Sequence, residues 1–538
     1  MKELGDFTAT RRVIPIAMVA TGVGVIASFV ALALLKLIGL CTNLFFFQRW
    51  ETDLSSPAGH QLGVGVVLVP IIGGVLIGLM AKFGSDKIRG HGIPEALESI
   101  LMRGSRIEAK VAVLKPLSSA ISIGSGGPFG AEGPIIMTGG AFGSLIAQRF
   151  HLTAAERKTL LVAGSAAGMA ATFGTPLAAT LLAVELLLFE WKPRSLIPVA
   201  MACASAMATR HFLFDAIPLF PVNALVAGDD IGVLLGCVVV GLGAGLLSAA
   251  MTKSVYVFED LFPKLRIHWM WWPALGGLVI GLGGLIEPRA LGVGYDVIAD
   301  LLNGRLAIAA IVVLVLTKWA IWAVSLGSGT SGGVLAPLLM LGASLGALLA
   351  PTLPGAPIGF WPLVAMGAIL GGTMRSPLTG ILFAAEVSGD FNALLPLSVA
   401  VFIAHGLTVL VLKRSVLTEK VARRGYHVTR EYEIDPLEVL FVREVMRPDA
   451  GAGASIAAAA FADETLRTVT LRMANLRITT LRVVDSSGTP VGVIDLEDVL
   501  VARRRHLEEE TRRERVAPLP AWVPLPSWVP LIGPRESS

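Results

Sequence analysis

Glu132 stands in Gly130-Ala131-Glu132-Gly133-Pro134, a glycine-rich break between two apolar stretches. A carboxylate at membrane depth is costly and, by default, functional. Next to an anion-binding point it acts as a tethered competitor: ionised it fills the point, protonated it frees it. Its structural alternative is a cap on a helix start. Three related breaks occur: Gly90-His91-Gly92-Ile93-Pro94-Glu95, Gly332-Gly333-Val334-Leu335-Ala336-Pro337, and Gly371-Gly372-Thr373 leading to Pro377. Proline suits the first helical turn, where its missing N–H would be unpaired anyway. Each such start leaves free backbone N–H groups and a positive dipole end. Several aimed at one point bind an anion without a full cation, and partial charges also let it leave. The apolar region holds no His/Asp or Ser/His constellation, which argues against a membrane-embedded enzyme.

These breaks need a membrane scaffold. Of 538 residues, 54% are hydrophobic and 16% charged, against roughly 25% charged in soluble proteins. Apolar stretches cover 13–37, 62–80, 231–250, 308–324 and 394–412; about 20 residues cross a hydrocarbon core of about 30 Å. The 59 glycines suit close helix packing and broken helices. The first stretch lacks a signal-peptide cleavage pattern and reads as a retained helix. Arg11 and Arg12 before it, and the Arg-rich region after Lys413, predict both termini in the cytoplasm of a multi-pass cell-membrane protein. The net charge of +4 points to no nucleic-acid partner, and Cys41, Cys203 and Cys237 have no metal spacing.

The chain repeats itself. Thr175-Pro176-Leu177 through Val184-Glu185 matches Ser376-Pro377-Leu378 through Ala385-Glu386 at an offset of 201 (377 − 176). Gly124-Ser125-Gly126-Gly127 leads to Gly133-Pro134 as Gly327-Ser328-Gly329-Thr330 leads to Ala336-Pro337, an offset of 203 (337 − 134). The predicted fold is an all-α polytopic membrane protein of two inverted repeats, roughly 10–215 and 230–425. Its broken helices form an anion pore where the halves meet. Glu185 and Glu386 hold equivalent positions and read as pairing or capping residues, with Glu185 also a candidate for the inner proton path. Glu190, four residues past Leu186, reads as sharing its helix face and as a possible inner proton site, or as an interfacial anchor.

GHGIPE, GAEGP and GGVLAP, in that order, resemble the three anion-coordinating signatures of the CLC family of chloride channels and chloride/proton exchangers, over roughly residues 10–430. The resemblance implies a homodimer with one chloride-conducting pore per subunit. It implies that Glu132 is the gate and that His91, Gly92, Ile93, Gly130, Ala131, Gly133, Val334 and Leu335 surround the anion. Leu417 falls where the family has an inner Tyr, and Leu186 where exchangers often carry a second glutamate. His91 replaces a common Ser, so the resemblance does not decide chloride over nitrate. These departures favour channel-like or loosely proton-coupled flux over strict chloride/proton antiport.

Residues 1–430 thus form the transmembrane domain. In 436–506 the order Met446, Asp463-Glu464-Thr465-Leu466, Val483-Val484-Asp485, Gly488, Val491 to Asp498 resembles one cystathionine-β-synthase (CBS) motif, a small α/β cytoplasmic module. Asp485 to Gly488 reads as a hairpin turn. Asp498 matches the acid through which family modules bind adenine nucleotides, but Asp495 replaces their hydroxyl, so no cofactor is expected. Residues 507–538 read as a charged helix end and a Pro/Trp-rich tail able to rest on lipid, to dock on the CBS-like face of its own or a partner subunit, or to plug the pore. The rival class is a membrane sensor without flux.

Overall fold

The computed structural model describes residues 7, 9–102, 104–214, 218–222, 230–425, 437, 440–448 and 458–511. The Pro/Trp tail lies outside them. The chain divides into two compact units, Met1–Glu431 and Tyr432–Ser538.

The first unit is helical: α1 Val13–Thr42, α2 Leu68–Phe83, α3 Ile93–Met102, α4 Ala109–Gly124, α5 Glu132–Ala147, α6 Ala154–Phe173, α7 Pro176–Leu182, α8 Pro193–Leu213, α9 Ile231–Leu261, α10 Trp272–Ile286, α11 Tyr295–Leu302, α12 Ile308–Gly327, α13 Leu335–Leu349, α14 Phe360–Met374, α15 Pro377–Ser388, α16 Leu394–Val411 and α17 Thr418–Arg423. Among the described residues, eight helical stretches are long and apolar enough to cross a membrane. Their outward residues, such as Leu235, Leu246, Leu316 and Phe402, are exposed and apolar, as lipid-facing surfaces must be.

Each helix of the first half has a mate eight helices later, and the packing repeats with the order. α5 lies on α6 as α13 on α14; α1 on α8 as α9 on α16; α4 on α5 as α12 on α13. Mates also touch each other across the halves: α2 with α10, α7 with α15, α5 with α13. Contacts between equivalent elements are what a two-fold axis produces, here the pseudo-two-fold of inverted repeats. Glycine allows the approach. A Cβ on Gly74 would lie 2.3 Å from the Pro273 carbonyl oxygen, and one on Gly277 would lie 2.2 Å from that of Pro70.

One helical expectation fails. Residues Ala183–Leu188 wind into a π-helical turn and Phe189 closes it with φ +52°. A wider turn followed by a left-handed residue breaks the 3.6-residue period, so Leu186 and Glu190 do not share a helix face.

The second unit holds a three-stranded sheet, β1 Ala459–Phe461, β2 Thr480–Val484 and β3 Pro490–Asp495, in the order β1-β2-β3. β1 pairs with β2 in parallel and β2 with β3 antiparallel. It also holds α18 Val442–Val445, α19 Leu466–Leu476 and α20 Leu496–Thr511. Val442, Ala460, Leu466, Val469, Leu481, Val483 and Ile494 form its core. The hairpin turn is where the sequence puts it: Asp485 Oδ1 accepts from the Ser487 and Thr489 amides, and Gly488 takes φ +86°. This small α/β unit is compatible with a CBS-like module. Arg447 pairs with both Asp495 and Asp498, the two positions compared with the nucleotide-binding residues.

Candidate anion pathway

The Gly-rich breaks converge. The Gly130 amide donates to the Gly333 carbonyl at 3.1 Å and the Gly333 amide to Gly130 at 2.9 Å, joining the starts of α5 and α13 by an antiparallel bridge between repeat mates. The loop before α3 packs onto this bridge. A Cβ on Gly133 would lie 1.9 Å from the His91 carbonyl oxygen, and one on Gly92 would lie 2.7 Å from that of Gly133. Gly92 takes φ +89°, open to glycine without strain. The starts of α3, α5 and α13 are thereby gathered, each with backbone N–H groups and a positive dipole end.

Glu132 is fully buried here. Its carboxylate folds back over the bridge: a Cβ on Gly130 would lie 1.7 Å from Oε2, and one on Gly333 would lie 3.0 Å away. Oε1 accepts from the Tyr295 hydroxyl at 3.0 Å, while Oε2 has no hydrogen-bond partner. The carboxylate thus occupies the point on which the helix starts converge. His91 is buried, and its Nδ1 has no partner. Ala131, Val334 and Leu335 are completely buried around the same starts. The Gly92 amide is held by Glu95 Oε2 at 3.0 Å, so at α3 one donor is already used within the chain and Ile93 begins the helix beside it.

Other sequence candidates lie elsewhere. Glu185 accepts from the Leu378 and Thr379 amides at 3.0 and 2.9 Å, and Glu386 from the Leu177 and Ala178 amides at 3.0 and 2.8 Å. Each half's carboxylate caps the other half's Pro-initiated helix. Glu190 accepts from Ser195 Oγ at 2.5 Å and is flanked by Arg194 at 3.5 Å and Lys158 at 3.9 Å, an ion-pair cluster beyond the π-helical turn that holds Leu186. Leu417 is buried, with its amide on Ser415 Oγ at 3.3 Å. The adjoining Val416 carbonyl accepts from the Tyr256 hydroxyl at 2.5 Å.

Motif reading passes over two buried lysines. Lys115 Nζ donates to the carbonyls of Ile88 and Gly90 at 2.8 and 2.7 Å, and to Ser331 Oγ at 3.1 Å. Lys318 Nζ donates to the carbonyls of Ala290 and Gly292, both at 2.9 Å. They are repeat mates (318 − 115 = 203), and each pins a Gly-x-Gly loop. Their signal was a lone lysine in an apolar run at the repeat offset.

A cavity of about 550 Å³ adjoins the pathway, lined by Arg89, Glu95, Gly329, Lys420, Arg423 and Arg424 among others. Arg424 bridges to Glu95 at 2.7 Å and Glu98 at 2.5 Å, tying α17 to α3.

A family model described as voltage gated chloride channel matches residues 73–408. A putative chloride channel protein ClcB-like of Ralstonia nicotianae is 28% identical over 347 residues, covering 62% of this chain and 80% of its own. The voltage-gated ClC-type chloride channel ClcB of Escherichia coli O127:H6 is 27% identical over 426 residues, covering 76% and 99%. Among solved structures, a slow cyanobacterial Cl-/H+ antiporter superposes with a TM-score of 0.68 at 19% identity, over 78% of this chain and 99% of that one. A CLC-type fluoride/proton antiporter superposes with a TM-score of 0.65 at 20% identity, over 74% and 97%. At such identities the structures speak to the fold.

Proposed function

Because this chain belongs to the voltage gated chloride channel family, we propose that it carries chloride across the membrane through a pore gated by Glu132. The observation that carries the reading is the Glu132 carboxylate lying over the Gly130–Gly333 bridge, at the focus of three helix starts. In that position an ionised carboxylate takes the stabilisation that the backbone dipoles would give a small anion. Protonation cancels its charge, the carboxyl swings out, and chloride replaces it. Backbone amides then bind the ion by partial charges, weakly enough for release. His91, whose Nδ1 is unpartnered, supplies a side-chain contact at the first anion position.

Chloride moves with loose proton coupling or none. Leu186 cannot carry a proton, Glu185 is occupied as a cap, and Glu190 is held by Ser195 and two cations. Strict antiport is the second reading, since the solved relatives include Cl-/H+ and fluoride/proton antiporters. The test is chloride efflux from liposomes holding the purified protein, with proton movement recorded alongside. No chloride efflux from the wild-type liposomes beyond that of protein-free ones would leave the membrane-sensor alternative. A homodimer in the cell membrane with cytoplasmic termini completes the proposal, to be checked by cross-linking and by labelling of terminal cysteines.

A further inference from the structure

We propose that Tyr295 is a latch that holds the Glu132 carboxylate in the anion position, set there by the Lys318-pinned loop. The proposal rests on Glu132 being the gate. Three observations carry it. The Tyr295 hydroxyl donates to Glu132 Oε1 at 3.0 Å, while Oε2 makes no hydrogen bond. The ring is fixed edge-on by Phe173 (centroids 6.1 Å apart, 73°) and Phe220 (6.0 Å, 63°), so the hydroxyl is aimed.

The third observation is the repeat. Gly294, with φ +78°, precedes Tyr295 at the start of α11 as Gly92, with φ +89°, precedes Ile93 at the start of α3. Lys318 holds the second loop by the Ala290 and Gly292 carbonyls, as Lys115 holds the first by those of Ile88 and Gly90. The same clamped turn therefore does two jobs. In the first half it brings a helix start to the anion; in the second it brings a phenol to the carboxylate that competes with the anion.

A phenol donates a stronger hydrogen bond to a carboxylate than to a carboxylic acid. The latch favours the ionised, site-filling form, and a higher proton activity is needed to open the pore. Of the charged groups around it, Lys318 on α12 acts directly on Glu132, Asp296 on α11 acts on Lys318, and Arg210 on α8 acts on Tyr295. Around the α3 loop, Lys420, Lys115 on α4 and Arg424 act on His91, and all four act on Glu95. These charges are unchanged by Tyr295→Phe, which keeps the ring and deletes the donor.

The experiment is chloride efflux from liposomes between pH 4.5 and 8.5 for wild type, Tyr295→Phe, Glu132→Gln and the double variant. Tyr295→Phe is expected to shift half-maximal efflux about 1 pH unit or more toward alkaline, because a hydrogen bond to a charged group is worth about one such unit. The double variant is expected to superpose on Glu132→Gln. If Glu132→Gln keeps the wild-type pH profile, the gate reading itself fails. If Glu132→Gln abolishes the pH profile but Tyr295→Phe matches wild type, the latch alone fails. A Tyr295→Phe effect that persists unchanged in the Glu132→Gln background also overturns the latch, since it then acts through packing.

Discussion

At the scale of the residue, the Glu132 carboxylate is wedged where neither Gly130 nor Gly333 leaves room for a side chain. Gly130 does not take positive φ, and the nearest atoms that a Gly130→Ala methyl would meet are those of the Glu132 carboxylate. Gly130→Ala is expected to push Glu132 out and raise efflux several-fold at neutral pH, toward the level of Glu132→Gln. Efflux at or below wild type in a variant that still purifies as a folded protein would place the carboxylate elsewhere in the working protein. His91→Ser keeps the backbone and exchanges one donor for another. The expected result is a changed ratio of nitrate to chloride flux, read from efflux with each anion alone. An unchanged ratio would mean that only the backbone selects. Glu132 and the glycines around it were legible in the sequence because a carboxylate and a helix start in an apolar run have few bland readings. Tyr295 was not, because its partner lies 163 residues away and the stretch Gly292-Val293-Gly294-Tyr295 lacks the proline that marks the other starts.

At the scale of the element, the starts of α7 and α15 depend on carboxylates from the opposite half. Water cannot satisfy their first amides at membrane depth, so the caps matter more than at a surface. Glu185→Gln and Glu386→Gln are each expected to destabilise the purified protein by about 2 kcal/mol, the cost of weakening a charged cap, seen as a lower thermal midpoint. If capping is the role of Glu185, its variant leaves the ratio of protons to chloride unchanged. A changed ratio would return Glu185 to a proton path. The equivalence of Glu185 and Glu386 was legible because the repeat puts them at its offset of 201 (386 − 185). The separation of Glu190 from Leu186 was not. A π-helical turn and a left-handed Phe189 leave no mark in the spacing of apolar residues, and helical periodicity carries the count past the point where the helix ends.

At the scale of the whole molecule, the two compact units have separate cores, one from Ile16 to Val421 and one from Val442 to Ala502. Ending the chain at Gly425 is therefore expected to leave a folded, membrane-inserted first unit that still passes chloride. Loss of insertion would show that the second unit is required for folding. The full chain is expected to move little or no proton uphill under a chloride gradient. Uphill proton transport at a fixed ratio would replace the loosely coupled reading with strict antiport. We propose that residues 436–506 form a single CBS-like module and that two subunits bring two such modules together. Cross-linking between single cysteines placed at Leu471 of each copy is the check.

The reciprocal caps also set a timetable for synthesis. A ribosome that has made α1 to α8 has produced every helix of the first half, yet α7 still lacks the carboxylate for its Leu177 and Ala178 amides, which arrives only with Glu386. The strand of chain that meets Gly130 likewise waits for Gly333. The early half must therefore remain unfinished in the membrane, a natural client for quality-control proteases, until 173 further residues have been added beyond Leu213 (386 − 213 = 173). Two separately encoded fragments, broken between Leu213 and Ile231, should each be degraded when made alone and persist when made together, because either one completes what the other was born without.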